Sequence, residues 1–386
     1  MMKKKLANFL SLLAQYENYF FFILTAINLI PLLIFESFPT VDGPAHLYNS
    51  RIIIELISEK NSALADYFSF NPNINPNWVG HFALSSLMII FPALIAEKIL
   101  IISYLIFFPL SFRFVFKKLK LKQSYLVFFI FPFTYSFLFY YGFYNFQIGL
   151  IFLFYAIGLW TSYLESGFNT KRGLLLLTLS LFTFFSHLFI FMILLCVIGF
   201  INLSPIAQIF SKKIKETKPI IDSLKFQLII LSPGILLMLI YLWTHPTIDG
   251  TPKFLSLGEL WNMLFEVEPA KGISYGKERV FVKWIFILLA LISTYLVIFD
   301  FKKSRKKLNK NAITWLGISI SILIGFFILP NSTAGSVGFV SSRMLLFFFL
   351  FYIIFLGTQK VPIWLKTIVI IIVTYVNFSL FKIYIR

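Results

Sequence analysis

The chain has very few cysteines and few charged residues. Cys196 is the only cysteine among 386 residues, so no intrachain disulfide can form and no cysteine-based metal motif is present. Charged residues make up 13% of the chain, whereas 59% of the residues are hydrophobic and 19% are aromatic. A soluble globular protein needs more polar residues than this to cover its surface. The composition therefore indicates a polytopic membrane protein.

The first apolar run lacks a signal-peptide cleavage site of small residues, so we interpret it as a retained membrane span. Nine apolar runs are long enough to cross about 30 Å of hydrocarbon as helices. The longer run at 172–203 predicts two short helices that meet near His187. The sequence thus predicts an all-α fold with about eleven transmembrane helices in a single domain of residues 1–386. The nine runs lie at about residues 19–36, 97–116, 123–141, 143–164, 225–244, 281–300, 311–329, 342–358 and 361–381.

The Lys and Arg residues collect in five clusters, which with eleven spans all fall on one side of the membrane. The positive-inside rule makes that side cytoplasmic, together with the N-terminus. The formal net charge of +18 is then a signal of topology, and we predict no nucleic-acid binding. A crossing at HFALSSLMIIF, residues 81–91, would break this pattern, so that segment is predicted to be an interfacial helix. The clusters are KKK near the start, KKLKLK at 117–122, KR at 171–172, SKKIKETK at 211–218 and KKSRKKLNK at 302–310.

The predicted outer side carries three polar segments, at residues 37–96, 245–280 and 330–342. All four histidines of the chain and most of its acidic residues fall there. The predicted spans have no Asp, Glu, Lys or Arg near their centres, which disfavours a proton-coupled transporter. We therefore predict a site on the outer, periplasmic face of the cytoplasmic (inner) membrane.

The stretch VDGPAHLYN, residues 41–49, places polar residues directly after the first span. Pro44 suits the first turn of a helix, and Asp42 precedes that helix. Asp42 is a cap for the free backbone N–H groups, a general base for an acceptor hydroxyl, or both at once. His46 lies one turn further on.

Three motifs carry a resemblance to a known superfamily. They are VDGPAHLYN after one span, YYGFYNFQIGLIFLFYAIGLW at 140–160, and FFSHLF at 184–189. The second contains G-x-x-N-x-x-x-G on Gly142, Asn145 and Gly149. In this layout the chain resembles the glycosyltransferase C superfamily of integral membrane enzymes.

The resemblance implies transfer of a sugar from a polyprenyl-phosphate donor to a glycan, lipid or protein acceptor on the outer face, with inversion. Asp42 is the implied catalytic base. Arg343, in SSRMLLFFFL, is implied to contact the carrier phosphate, although an interfacial anchor among membrane lipids is an equal alternative.

Four further residues are predicted to bind substrate beside Asp42 and Arg343, because the topology places the three histidines among them at a common outer depth and the resemblance adds the asparagine. These are His46, Asn145, His187 and His245. The histidines are too scattered to predict a metal site, so no cofactor is predicted apart from the lipid-linked sugar donor. The alternative function is a lipid-linked glycan transporter or an assembly factor for an envelope polymer.

Overall fold

In the part of the chain that the structure describes, the regular secondary structure is helical. A computed structural model gives residues 16–58, 63–71, 73–121, 124–210, 217–245, 251–272, 275–303, 308–332 and 338–385. Within these ranges no strand forms, and Lys253 and Ser332 make one isolated antiparallel bridge. The predicted all-α fold is confirmed. The basic cluster at the start of the chain and most of that at 211–218 lie outside the described residues.

The α-helices are numbered here in chain order. Short 3₁₀ helices lie at Ala63–Asp66, Ser124–Phe133 and Glu268–Ala270, and a π-helical stretch follows the eleventh α-helix at Leu296–Lys303. The α-helices are α1 Glu17–Ile34, α2 Gly43–Ser58, α3 Val79–Ile90, α4 Ala93–Lys118, α5 Phe137–Tyr140, α6 Tyr144–Ser166, α7 Thr170–Ser186, α8 Leu188–Phe210, α9 Lys218–Thr244, α10 Leu257–Phe265, α11 Tyr275–Tyr295, α12 Lys310–Ile328, α13 Val340–Gly357 and α14 Ile363–Tyr384.

Eight helices in the described ranges are long and apolar enough to cross a membrane, by length and composition. They are α1, α4, α6, α9, α11, α12, α13 and α14. A polytopic membrane protein is therefore confirmed, but the predicted count of about eleven spans is not. The predicted spans outside these eight are the run at 123–141 and the pair α7 and α8.

The run at 123–141 forms two short pieces where one membrane-spanning α-helix was expected. Ser124–Phe133 is a 3₁₀ helix and Phe137–Tyr140 is a single α-helical turn. Pro132 donates no backbone hydrogen bond and restricts the residue before it, which opposes a continuous α-helix here. The 3₁₀ segment is buried and packs against α1, α13 and α14.

The predicted helix pair around His187 is confirmed. Helix α7 ends at Ser186, α8 begins at Leu188, and His187 between them has an extended backbone with φ −165° and ψ 122°. A single extended residue is thus enough to divide an apolar run that is too long for one crossing.

The two helices predicted in the first outer segment are present as α2 and α3. Helix α2 starts one residue before Pro44, as the fixed φ of proline favours. Helix α3 has 12 residues and spans about 18 Å at 1.5 Å per residue. It is too short to cross the hydrocarbon, which agrees with the predicted interfacial helix.

The chain divides into two compact units, each assembled from separate stretches of sequence. The first unit comprises Met1–Glu36, Lys120–Tyr140 and Ile248–Arg386, and within it α12 packs along α13 and α11 along α14. The second unit comprises Ser37–Leu119 and Tyr141–Thr247. Within the second unit α4 and α7 pack along α6, and α2 packs on α3.

Candidate functional site

Asp42 is held by its backbone and not by its side chain. Its N–H donates to the Tyr141 carbonyl at 3.0 Å, and its carbonyl accepts a hydrogen bond from His46 N at 3.0 Å. Its half-buried carboxylate accepts no hydrogen bond from any residue in the described ranges. A cap needs such a bond from the first helical turn, so here the carboxylate is left for water or a ligand. Partial burial raises the pKa of the Asp42 carboxyl.

Gly142 allows the close approach that fixes Asp42. Its φ is +81°, in the left-handed region that L side chains rarely adopt. A Cβ at this position would lie 3.0 Å from Asp42 N and 3.1 Å from Gly43 N. This explains why the first position of the G-x-x-N-x-x-x-G motif is a glycine, because a side chain there would both strain the backbone and displace Asp42.

A buried polar network lies beneath Gly43, the first residue of α2. The Tyr144 hydroxyl donates to Glu97 Oε1 at 2.5 Å and lies 2.8 Å from Thr40 Oγ1. Glu97 is 7% exposed, and a Cβ on Gly43 would clash with both Thr40 and Glu97. Sequence analysis did not select Glu97. In the sequence, Glu97 is marked only by being an acidic residue near the beginning of an apolar helix.

His46 and His81 form a pair one turn beyond Asp42. Their ring centroids lie 4.8 Å apart, and the His46 ring also stacks on Tyr144 at 4.9 Å. Both imidazoles are half-buried. Burial lowers the pKa of both, and the His46 charge lowers that of His81 further, to about 4. The predicted site included His46 but missed His81, which the sequence placed only on the outer side.

Asn145 positions α3 from the first turn of α6. Its Oδ1 accepts the Gly80 N–H at 2.6 Å, and its side chain is buried. A Cβ on Gly80 would lie 2.7 Å from that same Oδ1. The structure thus gives Asn145 a positioning role, and the predicted substrate contact stays a prediction.

His187 lies at the junction that the first outer segment contacts. Its Nδ1 accepts the Phe189 N–H at 3.2 Å, and its ring meets the edge of Phe146 at 5.3 Å. Nearby, Trp78 N donates to the Phe185 carbonyl at 2.8 Å. His187 therefore belongs to the scaffold that joins α3, α6 and α7.

His245 ends α9 and turns back on its own helix. Its ring stacks on Tyr241 at 4.5 Å, and Nδ1 lies 3.0 Å from Thr244 Oγ1 and 3.1 Å from the Tyr241 carbonyl. These contacts bring it to none of the other predicted site residues. Its predicted substrate role stays a prediction.

Arg343 belongs to the first unit, whereas Asp42, His46, Asn145, His187 and His245 belong to the second. It lies in the first turn of α13 and is 7% exposed. Its backbone N–H donates to the carbonyl of Phe339, which has φ +58°. The structure thus places a buried guanidinium at this helix start.

A second group of charges surrounds the start of α13 in the first unit. Ser342 Oγ donates to Glu268 Oε1 at 3.2 Å, while Glu268 Oε2 is buried without a hydrogen-bond partner in the described ranges. Burial raises the pKa of Glu268 to about 7. Lys271, only 1% exposed, bonds Glu266 at 2.8 Å. Val267, directly before Glu268, has φ +48°. A strained backbone residue therefore adjoins the buried Glu268 carboxyl.

A largely apolar groove of about 820 Å³ lies in the second unit between the segment at 70–86 and α7. One face of α3 lines it, and His81 lies on the opposite face of that helix. The groove contains none of the predicted site residues. Its lining includes Phe70, Trp78, Phe82, Thr178, Phe182 and Phe185.

Within the described residues, no group of three or more His, Cys, Asp or Glu side chains is arranged to hold a metal ion. No protein-family model, no curated protein and no solved structure matches this chain. The function is therefore inferred from the geometry of the site and from the sequence motifs.

Proposed function

We propose that this chain is an inverting membrane glycosyltransferase that uses a polyprenyl-phosphate sugar as donor. Asp42 removes the proton from an acceptor hydroxyl, and that oxygen attacks the anomeric carbon. The bond from the anomeric carbon to the phosphate oxygen breaks, and the electron pair leaves with the lipid phosphate. The proton remains on Asp42 until water removes it.

The observation that carries the proposal is the Asp42 carboxylate, held in place by backbone bonds and free of hydrogen bonds to the described residues. A residue that served only as a helix cap would use its oxygens on the α2 backbone. Partial burial raises the pKa of Asp42, which makes its carboxylate a stronger base. General-base efficiency increases as the pKa approaches the working pH.

The donor class is supported by the membrane setting and the motifs. Several apolar helices of spanning length suit a substrate with a hydrocarbon chain. In the proposed arrangement Asp42 faces the periplasm, the N-terminus is cytoplasmic and the protein lies in the inner membrane. The resemblance also implies that Arg343 contacts the carrier phosphate, for which a guanidinium has a suitable fork of donors.

The test is substitution of Asp42, with transfer measured in membranes supplied with undecaprenyl-phosphate hexoses and pentoses. Asp42→Asn should lose about 10² to 10⁴ in rate, because an amide cannot accept the proton. The control is Asp66→Asn, since Asp66 is an exposed acid in the same outer segment and should keep full activity. Full transfer by Asp42→Asn would remove the base from the mechanism.

The alternative of a lipid-linked glycan transporter predicts a different result. A flippase would move the glycan across vesicles without forming a new glycosidic bond, and Asp42→Asn would then leave movement unchanged. Measurement of both translocation and bond formation on the same vesicles separates the two functions.

A further inference from the structure

The His46–His81 pair presents unused hydrogen-bonding capacity beside Asp42. His81 Nδ1 is buried and has no hydrogen-bond partner in the described ranges, whereas Nε2 is not among the buried unpartnered atoms. No hydrogen bond to His81 Nε2 occurs within those ranges either, so Nε2 is the accessible nitrogen of this ring. His46 is hydrogen-bonded to the Gly142 backbone. Asp42 lies at the same end of α2 as the pair, since its carbonyl accepts the His46 N–H at 3.0 Å.

Both rings are neutral near pH 7. Burial lowers the pKa of each imidazole, and the pKa of His81 falls to about 4. For His46, the hydrogen bond to the Gly142 backbone partly offsets the effect of burial. The titratable groups near the pair are Asp42, Tyr144 and, behind Tyr144, Glu97. A neutral imidazole offers one N–H donor and one bare nitrogen acceptor.

This donor and acceptor set selects among ligand classes. A phosphate dianion has only acceptors, and an ammonium group has only donors, so each suits only one of the two nitrogen states. A hydroxyl group both donates and accepts, and it therefore suits His81 Nε2 in either tautomer. Asp42 directly precedes α2, in whose first turn His46 lies, and a negative charge at this end of the helix disfavours an anionic ligand.

We infer that the His46–His81 pair binds a hydroxyl group of a saccharide, with His81 Nε2 as the contacting atom. The inference deepens the proposed function, because it assigns this pair to the sugar and leaves the phosphate to another group. It also adds His81 to the site. The hydroxyl belongs either to the donor sugar or to the acceptor.

Histidine ring NMR gives a readout that does not depend on activity. The chain has only 4 histidines, so ring-¹⁵N-histidine labelling of the detergent-solubilised protein yields four imidazoles, assigned by single His→Gln variants. The probes are methyl glycosides of glucose, galactose, mannose and arabinose, with inorganic phosphate as the comparison. We expect a glycoside to shift the His46 and His81 nitrogens saturably and inorganic phosphate to leave them unmoved.

Substitutions at His81 test the contact itself. His81→Ala should weaken glycoside binding roughly 2- to 13-fold, the effect of one neutral hydrogen bond. His81→Gln places an amide near Nε2 and should retain most of the affinity, which separates a lost contact from lost folding. Arg51→Ala, at an exposed position of α2, is the matched control and should bind like the wild type.

Several results would overturn the inference. These are no glycoside response at the pair, a response to phosphate alone, or unchanged glycoside affinity in His81→Ala. Asp42→Asn should still bind glycosides, so a failure of the base assignment and a failure of the pair are distinguishable. In the transfer assay, a raised KM of His81→Ala for the donor or for the acceptor identifies the source of the hydroxyl, and no change in either KM contradicts the contact.

Discussion

At the scale of single residues, Asp42 and Glu268 are two carboxyl groups in opposite environments. Asp42 is half-exposed and makes no side-chain hydrogen bond to the described residues. Glu268 is 3% exposed and accepts one hydrogen bond, from Ser342. The Asp42 carboxylate is therefore open to water or a ligand, whereas Glu268 contributes to the pH dependence of the free energy of unfolding.

Removal of the Asp42 side chain should cost little stability. Because no cap bond is lost, Asp42→Ala should change the free energy of unfolding by less than about 0.5 kcal/mol. The comparison is Asn169→Ala, since Asn169 Oδ1 caps α7 by accepting Arg172 N at 3.0 Å, and loss of such a cap costs about 1 kcal/mol. Thermal unfolding in detergent measures both. Equal losses would restore Asp42 as a structural cap.

Glu268 should make the protein less stable as the pH rises. Its folded-state pKa of about 7 lies above the ordinary 4.5, so between these values the folded state binds more protons than the unfolded state. The contribution of Glu268 to the free energy of unfolding is therefore fully present below about pH 4.5, and it is lost as the pH rises through 7.

Substitution of Glu268 checks this pH dependence. Glu268→Gln cannot titrate and should flatten the stability profile between pH 5 and 8, whereas Glu36→Gln, at an exposed position, should leave the slope intact. A Glu268→Gln profile with the same slope as the wild type between pH 5 and 8 would contradict the assignment.

At the scale of helices, the start of α6 organises the second unit. Gly142 fixes the segment before α2, Asn145 holds α3 through Gly80, and a Cβ on Gly149 would lie 2.7 Å from the Ile190 side chain of α8. The G-x-x-N-x-x-x-G spacing therefore joins three elements to one helix. The motif therefore supports the position of Asp42.

Two glycines with the same backbone strain allow this role to be measured. Gly142 and Gly167 have φ of +81° and +82°, but a Cβ on Gly167 would meet nothing within 4 Å. Each Ala variant should lose about 1 to 2 kcal/mol from the left-handed conformation. Only Gly142→Ala should also displace Asp42 and lose about tenfold or more in transfer rate. Equal activity in the two variants would contradict the positioning role.

The sequence predicted helices better than it predicted how they meet. Run length was enough to predict the break at His187, and Pro44 predicted the start of α2. Apolarity does not distinguish a 3₁₀ segment from an α-helix, which is why the expected span at 123–141 was wrong in its helix type. The contacts of His46 with His81 and Tyr144, and of Tyr144 with Glu97, depend on tertiary packing. Sequence analysis therefore found Asp42 and His46 but missed His81 and Glu97.

At the scale of the whole molecule, the single cysteine of the chain allows the membrane topology to be measured by cysteine labelling. In a Cys196→Ser background, Asn71→Cys should react with a membrane-impermeant maleimide in intact cells. Glu165→Cys and Lys310→Cys should react only after permeabilisation, because the positive-inside rule places them in the cytoplasm. All three positions are exposed. Labelling of Lys310→Cys from outside would reverse the orientation and place Asp42 in the cytoplasm.

The interleaved composition of the two units has a consequence for synthesis. Helix α1 belongs to the first unit, but the chain from 37 to 119 and from 141 to 247 belongs to the second. At about 5 to 20 residues per second, the ribosome finishes the second unit roughly 10 to 40 s after α1 and only then begins the last stretch of the first. By then the 3₁₀ segment at 124–133 that packs on α1 has been made, but α14, which also contacts α1, has not, so α1 stays in the bilayer without this neighbour until the last helix is synthesised.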